Sequence, residues 1–157
     1  MKNILITGGA GFIGTNLTDK LLSNGDSVIS LDNFYSGKLD NIKPFYNYGE
    51  KFKFLHLDVR NAFNLSIPID EIYHLACPAS PVQYQKDDMF TLNTSIDGMR
   101  NMLELAKQKK AKLLFTSTSE IYGDAKEHPQ NEKYWGNVNP IGDRSCYDEG
   151  KRVAESY

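Results

Sequence analysis

Two cysteines, Cys77 and Cys146, are all that 157 residues contain, and they stand far apart with no CxxC spacing. Neither a disulfide framework nor a thiolate metal site is encoded. Three scattered histidines (His56, His74, His128) add no metal-ligand spacing, so free thiols and no metal are expected. Basic excess is missing too. Eighteen Lys and Arg face 20 Asp and Glu for a net charge of −2, which removes the electrostatic footing for nucleic-acid binding. No apolar run approaches the roughly 20 residues of a membrane helix. Met1 to Thr7 lead straight into an ordered motif without signal-peptide architecture. The expectation is a cytoplasmic protein with neither nucleic acid nor membrane as partner. Internal repeats and low-complexity tracts are absent as well. What is present is 40% hydrophobic content, enough in a chain of this length for one core and one domain.

Short apolar runs alternate with helical periodicity. The runs near residues 3–7, 27–31, 52–57, 71–75 and 112–117 end in Gly, Asp, Asp, Ala and Thr-Ser respectively, as expected of strands buried on both faces. Phe12, Ile13, Leu17, Leu21 and Leu22 recur at helical spacing until Asn24-Gly25. Met89, Leu92, Ile96, Met99, Leu103 and Ala106 mark a long helix over 87–109. Alternation of this kind predicts an α/β fold, a doubly wound parallel sheet of Rossmann type in the order 3-2-1-4-5. Ligands then bind at the carboxyl ends of the strands. The stretch His128 to Asp143 reads as one long loop.

Those strand ends carry the chemistry. Gly8, Gly11 and Gly14 follow a strand and open a helix: the first permits the tight turn, the second lets backbone approach a pyrophosphate, the third lets helix pack on strand. The helix N-terminus offers N–H donors to phosphate. Asp32 ends the second strand 18 residues beyond Gly14, placed to accept from ribose hydroxyls and to repel a 2′-phosphate. NAD is the expected cofactor rather than NADP. Asp58 and Val59, after the third strand, are expected at the adenine. Tyr147 and Lys151, at i and i+4, share one helical face. An ammonium beside the phenol would lower its pKa and make it a usable base. Thr116-Ser117-Thr118-Ser119-Glu120 leaves the fifth strand at the same edge.

These residues carry a resemblance. The GGAGFIG turn, the YxxxK pair and the strand-end hydroxyls resemble the extended short-chain dehydrogenase/reductases. Ile72 to Val82, Ser117 to Asp124, Tyr134 to Gly142 and Ser145 to Glu155 together resemble the UDP-glucuronate decarboxylases (UDP-xylose synthases) over essentially the whole chain. Sibling 4,6-dehydratases are similar but carry Asp-Glu where this chain has Ser119-Glu120, and 4-epimerases usually lack the glutamate; the Ser-Glu pair favours decarboxylation. Epimerisation or dehydration of another nucleotide sugar, and a truncated module that binds NAD without catalysis, remain as alternatives.

The resemblance implies the following roles. Thr118 holds the sugar 4-hydroxyl, Tyr147 takes its proton as hydride passes to NAD, and Lys151 holds the nicotinamide ribose. Loss of CO2 from the 4-keto sugar follows, with Glu120 and Ser119 handling the proton at C5. Hydride return then yields UDP-xylose. Further cofactor contacts are expected from Phe12, Ile13, Asn33, Tyr35, Ser36, Gly37, Leu75, Ala76, Cys77, Thr94 and Thr116. The substrate UDP-glucuronate is expected against Pro78, Ala79, Ser80, Asn93 and Asn101 as well as Thr118. Tyr134 and Trp135 are expected in the wall near it. Asn93 and Ser95 stand where the family typically has lysine and asparagine, which predicts weaker recognition of the anionic sugar. Residues 1–157 are identified as the NAD-binding, N-terminal part of a longer architecture, without the C-terminal substrate domain and the catalytic-site arginine that it carries. A homodimer through the helices near 87–109 and 144–157 is also implied.

Overall fold

Five short, largely apolar segments take up the strands of a computed structural model that describes residues 1–157. They are β1 (Asn3–Thr7), β2 (Ser27–Asp32), β3 (Phe52–His56), β4 (Glu71–His74) and β5 (Lys112–Phe115). All pairings are parallel, in the order β3-β2-β1-β4-β5. The order is that expected from the sequence. Between them run α1 (Phe12–Ser23), the short α2 (Leu39–Ile42) continuing into a 3-10 segment to Lys51, the short α3 (Pro81–Tyr84), α4 (Asp88–Lys109), a 3-10 turn at Ser119–Tyr122, and α5 (Ser145–Ser156). No helix is long and apolar enough to cross a membrane.

Alternation along β1 divides the core. Leu5 enters one cluster with Ile29, Leu31, Ile72 and Met102, while Ile4 and Ile6 enter the other with Val28, Leu22 and Phe45. Successive side chains point to opposite faces of the sheet, and here both faces are covered. The edge strands depart from expectation. β3 and β5 are only partly buried, and Leu114 is 49% exposed. An edge strand has a neighbour on one side alone.

Two helices depart from the expected apolar stripe at their first turns, while Leu17, Leu21 and Leu22 of α1 and Met99 and Ala106 of α4 face the core as expected. In α1 the buried stripe is Gly14, Thr18 and Leu22, whereas Phe12 and Ile13 are exposed. At Gly14 a Cβ would sit 2.3 Å from the Gly8 carbonyl oxygen, so the helix start lies at backbone contact with the turn after β1. In α4 the buried face is Thr91, Thr94, Ser95, Gly98, Met99, Met102, Leu105 and Ala106, and Met89 is exposed. Small residues let this helix close on the sheet. Asp87 caps α4 by accepting from the Phe90 N–H at 2.9 Å. From Gly123 to Arg144 the chain is irregular apart from a bridge between Gly123 and Asn137, which contains the expected loop.

His74 is the buried titratable group of the sheet centre. Its Nδ1 lies 2.7 Å from the Thr7 hydroxyl, and its ring stacks on Phe115. Burial, with a smaller push from the Lys151 ammonium, holds the imidazole down at about 3 against 6.5 when free. The unfolded chain therefore takes up a proton at His74 as pH falls through 6.5, and the folded chain does not until about 3. This residue's share of stability is complete above the free value and is lost as pH falls toward the folded one, at a limiting slope of about 1.4 kcal/mol per pH unit. Histidine NMR should find the His74 ring neutral and unmoved between about pH 7 and pH 5. A midpoint inside that range would contradict the burial argument.

Candidate functional site

The strands deliver their carboxyl ends to one side of the sheet, and a cavity of about 430 Å3 opens there. Its floor is the turn after β1. Gly8 takes φ 71°, and a Cβ on it would meet the Ala76 amide nitrogen at 3.0 Å; only glycine allows the loops after β1 and β4 to touch. Gly11 is the N-cap of α1 and supplies no side-chain cap. The first N–H groups of a helix have no partner within it. Here those of Phe12, Ile13 and Gly14 belong to residues of the cavity wall. An uncapped helix start of this kind fits a phosphate, and the exposure of Phe12 and Ile13 has its explanation in the same wall.

At one side of that floor stands Asp32. Its carboxylate accepts from the Ala10 N–H at 3.0 Å and the Phe34 N–H at 2.7 Å. Two of its roughly four acceptor positions are thereby used. The rest are free to take a diol from a ligand in the cavity. Asn33, Tyr35, Ser36, Leu57 and Val59 extend this end. Gly37 lies beneath it, where a Cβ would come within 3.0 Å of both Asp32 carboxylate oxygens. Asp58 is not in the wall. Its carboxylate is held by Arg60, at 2.8 Å and 3.0 Å, and by Asn33 at 3.0 Å; despite the cost of burial, which comes first, these bonds leave its pKa below the usual range.

Leu75, Ala76, Cys77, Pro78, Ala79 and Ser80 form the facing wall, and Thr94, Thr116, Ser117, Tyr147 and Lys151 close the far end. Tyr147 lies flat on Tyr84, ring centroids 4.9 Å apart. The expected depression of its pKa by Lys151 is not what the geometry produces. Burial pushes the phenol up, and the Thr118 hydroxyl beside it pulls partly back. Lys151 is buried, donates to the Thr116 carbonyl at 2.7 Å, and has its own pKa lowered by that burial. Its nitrogen stands 5.9 Å from the Tyr147 ring centroid, so the two groups share a site without sharing a hydrogen bond.

The remaining candidates sit apart from the cavity wall. Thr118 caps the turn of Ser119 and Glu120 by accepting from the Glu120 N–H at 3.2 Å. Glu120 pairs with Arg144, which also reaches Asp148 Oδ1 at 3.5 Å. Arg144 was invisible as a site residue, because the pairing joins the turn after β5 to the start of α5. Asn93 is half-buried on α4. Asn101 donates to the Val59 carbonyl at 2.8 Å and so fastens the loop after β3. Tyr134 packs on Tyr122, while Trp135 is 90% exposed. Gln83 and Phe90 line the cavity without having been singled out. Phe90 falls between the apolar positions that mark α4 in the sequence, and nothing in that pattern separates a cavity-facing aromatic from a surface one. No three His, Cys, Asp or Glu side chains come together.

Comparison with known proteins extends this picture. Residues 5–157 match the family model described as GDP-mannose 4,6 dehydratase. UDP-glucuronic acid decarboxylase 1 of Arabidopsis thaliana is 54% identical over 153 residues, covering 98% of this chain and 34% of that protein. The protein of the same name in Danio rerio is 54% identical over 155 residues, 99% of this chain and 36% of the relative. The chain thus spans about a third of the length of these curated relatives. Among solved structures, the dTDP-glucose 4,6-dehydratase DesIV of Streptomyces venezuelae, with NAD bound, superposes with a TM-score of 0.84 at 26% identity, over 98% of this chain and 49% of its own. The Thermus thermophilus UDP-glucose 4-epimerase complex with NAD gives 0.77 at 31% identity, over 99% and 49%. A glycine turn packed on a parallel switch point, a tyrosine and lysine at the far end of one cavity and a match running from the first strand to the last residue place this chain in the GDP-mannose 4,6 dehydratase family, similar along nearly all its length to the UDP-glucuronic acid decarboxylases.

Proposed function

We propose that residues 1–157 form the NAD-binding part of an enzyme that converts UDP-glucuronate to UDP-xylose and CO2 through a 4-keto sugar, its activity belonging to a polypeptide of the relatives' length. The observation that carries this reading is that a single cavity begins at an uncapped helix start beside Asp32 and ends at Tyr147 and Lys151. NAD, when bound, would accept the hydride from C4 of the sugar and give it back. Everything else falls to the chain. The N–H groups of Phe12 to Gly14 hold the pyrophosphate, Asp32 takes the adenosine ribose, and Val59 packs at the adenine. Lys151, anchored on the Thr116 carbonyl, is placed for the second ribose.

Tyr147 takes the proton of the sugar 4-hydroxyl, and the Thr118 hydroxyl, which bonds to the phenol, is placed to bond that sugar hydroxyl as well. Its pKa is held up by burial in the present geometry, so the base is strong once formed and needs a positive neighbour to form near neutral pH. Oxidation at C4 leaves the carboxylate beta to a ketone; the C–C bond then releases its electron pair into an enolate as CO2 departs. Glu120 returns the proton at C5, and Arg144 holds that carboxylate in readiness from the start of α5. The Ser119-Glu120 pair and the identity to decarboxylases favour this reaction over the epimerisation and dehydration named for the structural neighbours. Two free cysteines are in keeping with a cytoplasmic setting.

The chain should bind NAD more tightly than NADP, because Asp32 repels a 2′-phosphate, and Asp32→Ala should narrow the difference. Isothermal titration with both dinucleotides checks this, and equal affinity of the unmodified chain would refute it. In a polypeptide of the relatives' length, UDP-glucuronate and NAD should yield CO2 and UDP-xylose without stoichiometric build-up of reduced cofactor. Tyr147→Phe should lower turnover by about 10² to 10⁴ through loss of the general base. Glu120→Ala should spare oxidation more than CO2 release in a single turnover; equal loss of both steps would assign Glu120 to substrate positioning instead. We also propose that α4 and α5, which pack side by side, pair with a second copy across a two-fold axis. Sedimentation as a monomer would count against that arrangement.

A further inference from the structure

Against the cavity wall lies a stack in which Tyr35 alone has an expected role, as a cofactor contact. The Tyr35 and Phe90 rings lie 4.2 Å apart at 14°, and the Arg60 guanidinium sits 4.0 Å over the other side of Phe90. Three loops of the carboxyl edge meet there: the one after β2 through Tyr35, the one after β3 through Arg60, and the first turn of α4 through Phe90. Both ends are fastened. The Tyr35 hydroxyl donates to the Gln83 carbonyl on α3 at 3.2 Å, and its backbone N–H donates to Asn33 Oδ1 at 2.9 Å. Arg60 is gripped by the Asp58 carboxylate, which also accepts from Asn33 at 3.0 Å. A closed circuit results, from Asn33 through Asp58, Arg60 and Phe90 to Tyr35 and back to Asn33. Tyr35, Gln83 and Phe90 line the cavity, whereas Arg60 does not.

We propose that the Arg60–Phe90–Tyr35 stack is a gate that sets how fast a dinucleotide enters and leaves this cavity. The inference rests on the cofactor reading above and adds its kinetics. Tyr35 comes from the loop after β2 and Phe90 from the first turn of α4, so the stack bridges two of the elements whose residues line the cavity, and in the proposed arrangement a ligand reaching from Asp32 to Tyr147 passes beneath it. The stack is made wholly of the chain's own residues, so it has to part for entry as well as for exit. Its contacts therefore raise the barrier in both directions and leave the binding equilibrium nearly alone. A wall contact to the ligand behaves differently, because losing it speeds release without speeding entry. Slow exchange suits a cofactor that is reduced and reoxidised within one cycle.

The test is stopped-flow binding of NADH to the 157-residue chain, followed by the fluorescence of the nicotinamide. Phe90→Ala should raise association and dissociation rate constants together, each about tenfold, the equivalent of about 1.4 kcal/mol of barrier, with the Kd changed by less than about twofold. Phe90→Tyr keeps a ring in the stack and should restore the original rates. Arg60→Ala removes only the cation, which touches no ligand, and should raise both rates by a smaller common factor, about two- to fivefold from cation–π magnitudes. Circular dichroism of each variant confirms that the fold is retained, and the Phe90→Tyr comparison serves as the test where the alanine variant does not fold. Faster dissociation alone would make Phe90 a ligand contact and overturn the gate; unchanged rates in both alanine variants would overturn it too. Absence of NADH binding by the unmodified chain would overturn the cofactor reading itself, and the gate with it.

Discussion

The site depends on how closely two loops can approach above the centre of the sheet. β1 and β4 are neighbours, and their chains leave toward opposite sides of the sheet, which opens a crevice. Thr7 ties the two together at the last residue of β1: its carbonyl accepts from the Leu75 N–H at 3.2 Å and its hydroxyl from the Ala76 N–H at 3.2 Å, with His74 Nδ1 2.7 Å from the same hydroxyl. One residue later the absence of a side chain on Gly8 lets the backbones touch. Move either loop outward and the helix start of α1 no longer shares a cavity with Leu75 to Ser80. The buried histidine is thus a structural crosslink. Its neutrality follows from the low dielectric around it, and its placement keeps a polar strand end satisfied in the core.

A second close approach sets the chemical end. Gly150 on α5 faces Ser95 on α4, where a Cβ would meet that of the serine at 3.0 Å; Gly98 on α4 sits under Val59 and His74 in the same way. Small residues at these crossings let α4 lie against the sheet and α5 against α4. Tyr147 and Lys151 are carried inward as a result, both nearly inaccessible to water. Ser95, a departure from the residue typical of the resembling family, therefore has a packing role of its own. Burial then acts on the two groups in opposite senses, raising the phenol and lowering the ammonium. Desolvation of the charged forms outweighs their mutual attraction at this separation.

The electrostatics of the far loop follow another logic. Glu120 and Asp148 share Arg144 at the surface side of the 3-10 turn, a partly exposed pairing that is weak in net energy. The proton transfer proposed for Glu120 requires it to exchange partners, and a weak pairing permits that. Asp58 and Arg60 sit deeper and bond through two oxygens and two nitrogens, a geometry stronger and more directional than a single contact. Arg60, held in this way, lies 4.0 Å over the Phe90 ring.

Much of this was written in local order. The glycine spacing, the acidic residue at the end of β2, the tyrosine and lysine one turn apart and the alternation of strand and helix each depend on neighbours in sequence, so the sheet order and the residues around Gly8 to Gly14, Asp32, Tyr147 and Lys151 could be read directly. What local order could not reveal depends on contacts between distant segments. The apolar spacing of α1 and α4 did not reveal that Phe12, Ile13 and Met89 are exposed or that small residues take much of the inward face, because Gly14 closes on the backbone of the turn after β1 and Gly98 on the side chains of Val59 and His74. The short helices at Leu39–Ile42 and Pro81–Tyr84 are too brief to carry periodicity. Arg144 and Phe90 gained their positions only when the turn after β5 met α5 and the loops after β2 and β3 met α4. The sequence by itself determined the class of fold and the chemical groups available at the strand ends; the tertiary structure decided which of those groups face one cavity, since distance and desolvation exist only once the chain has closed.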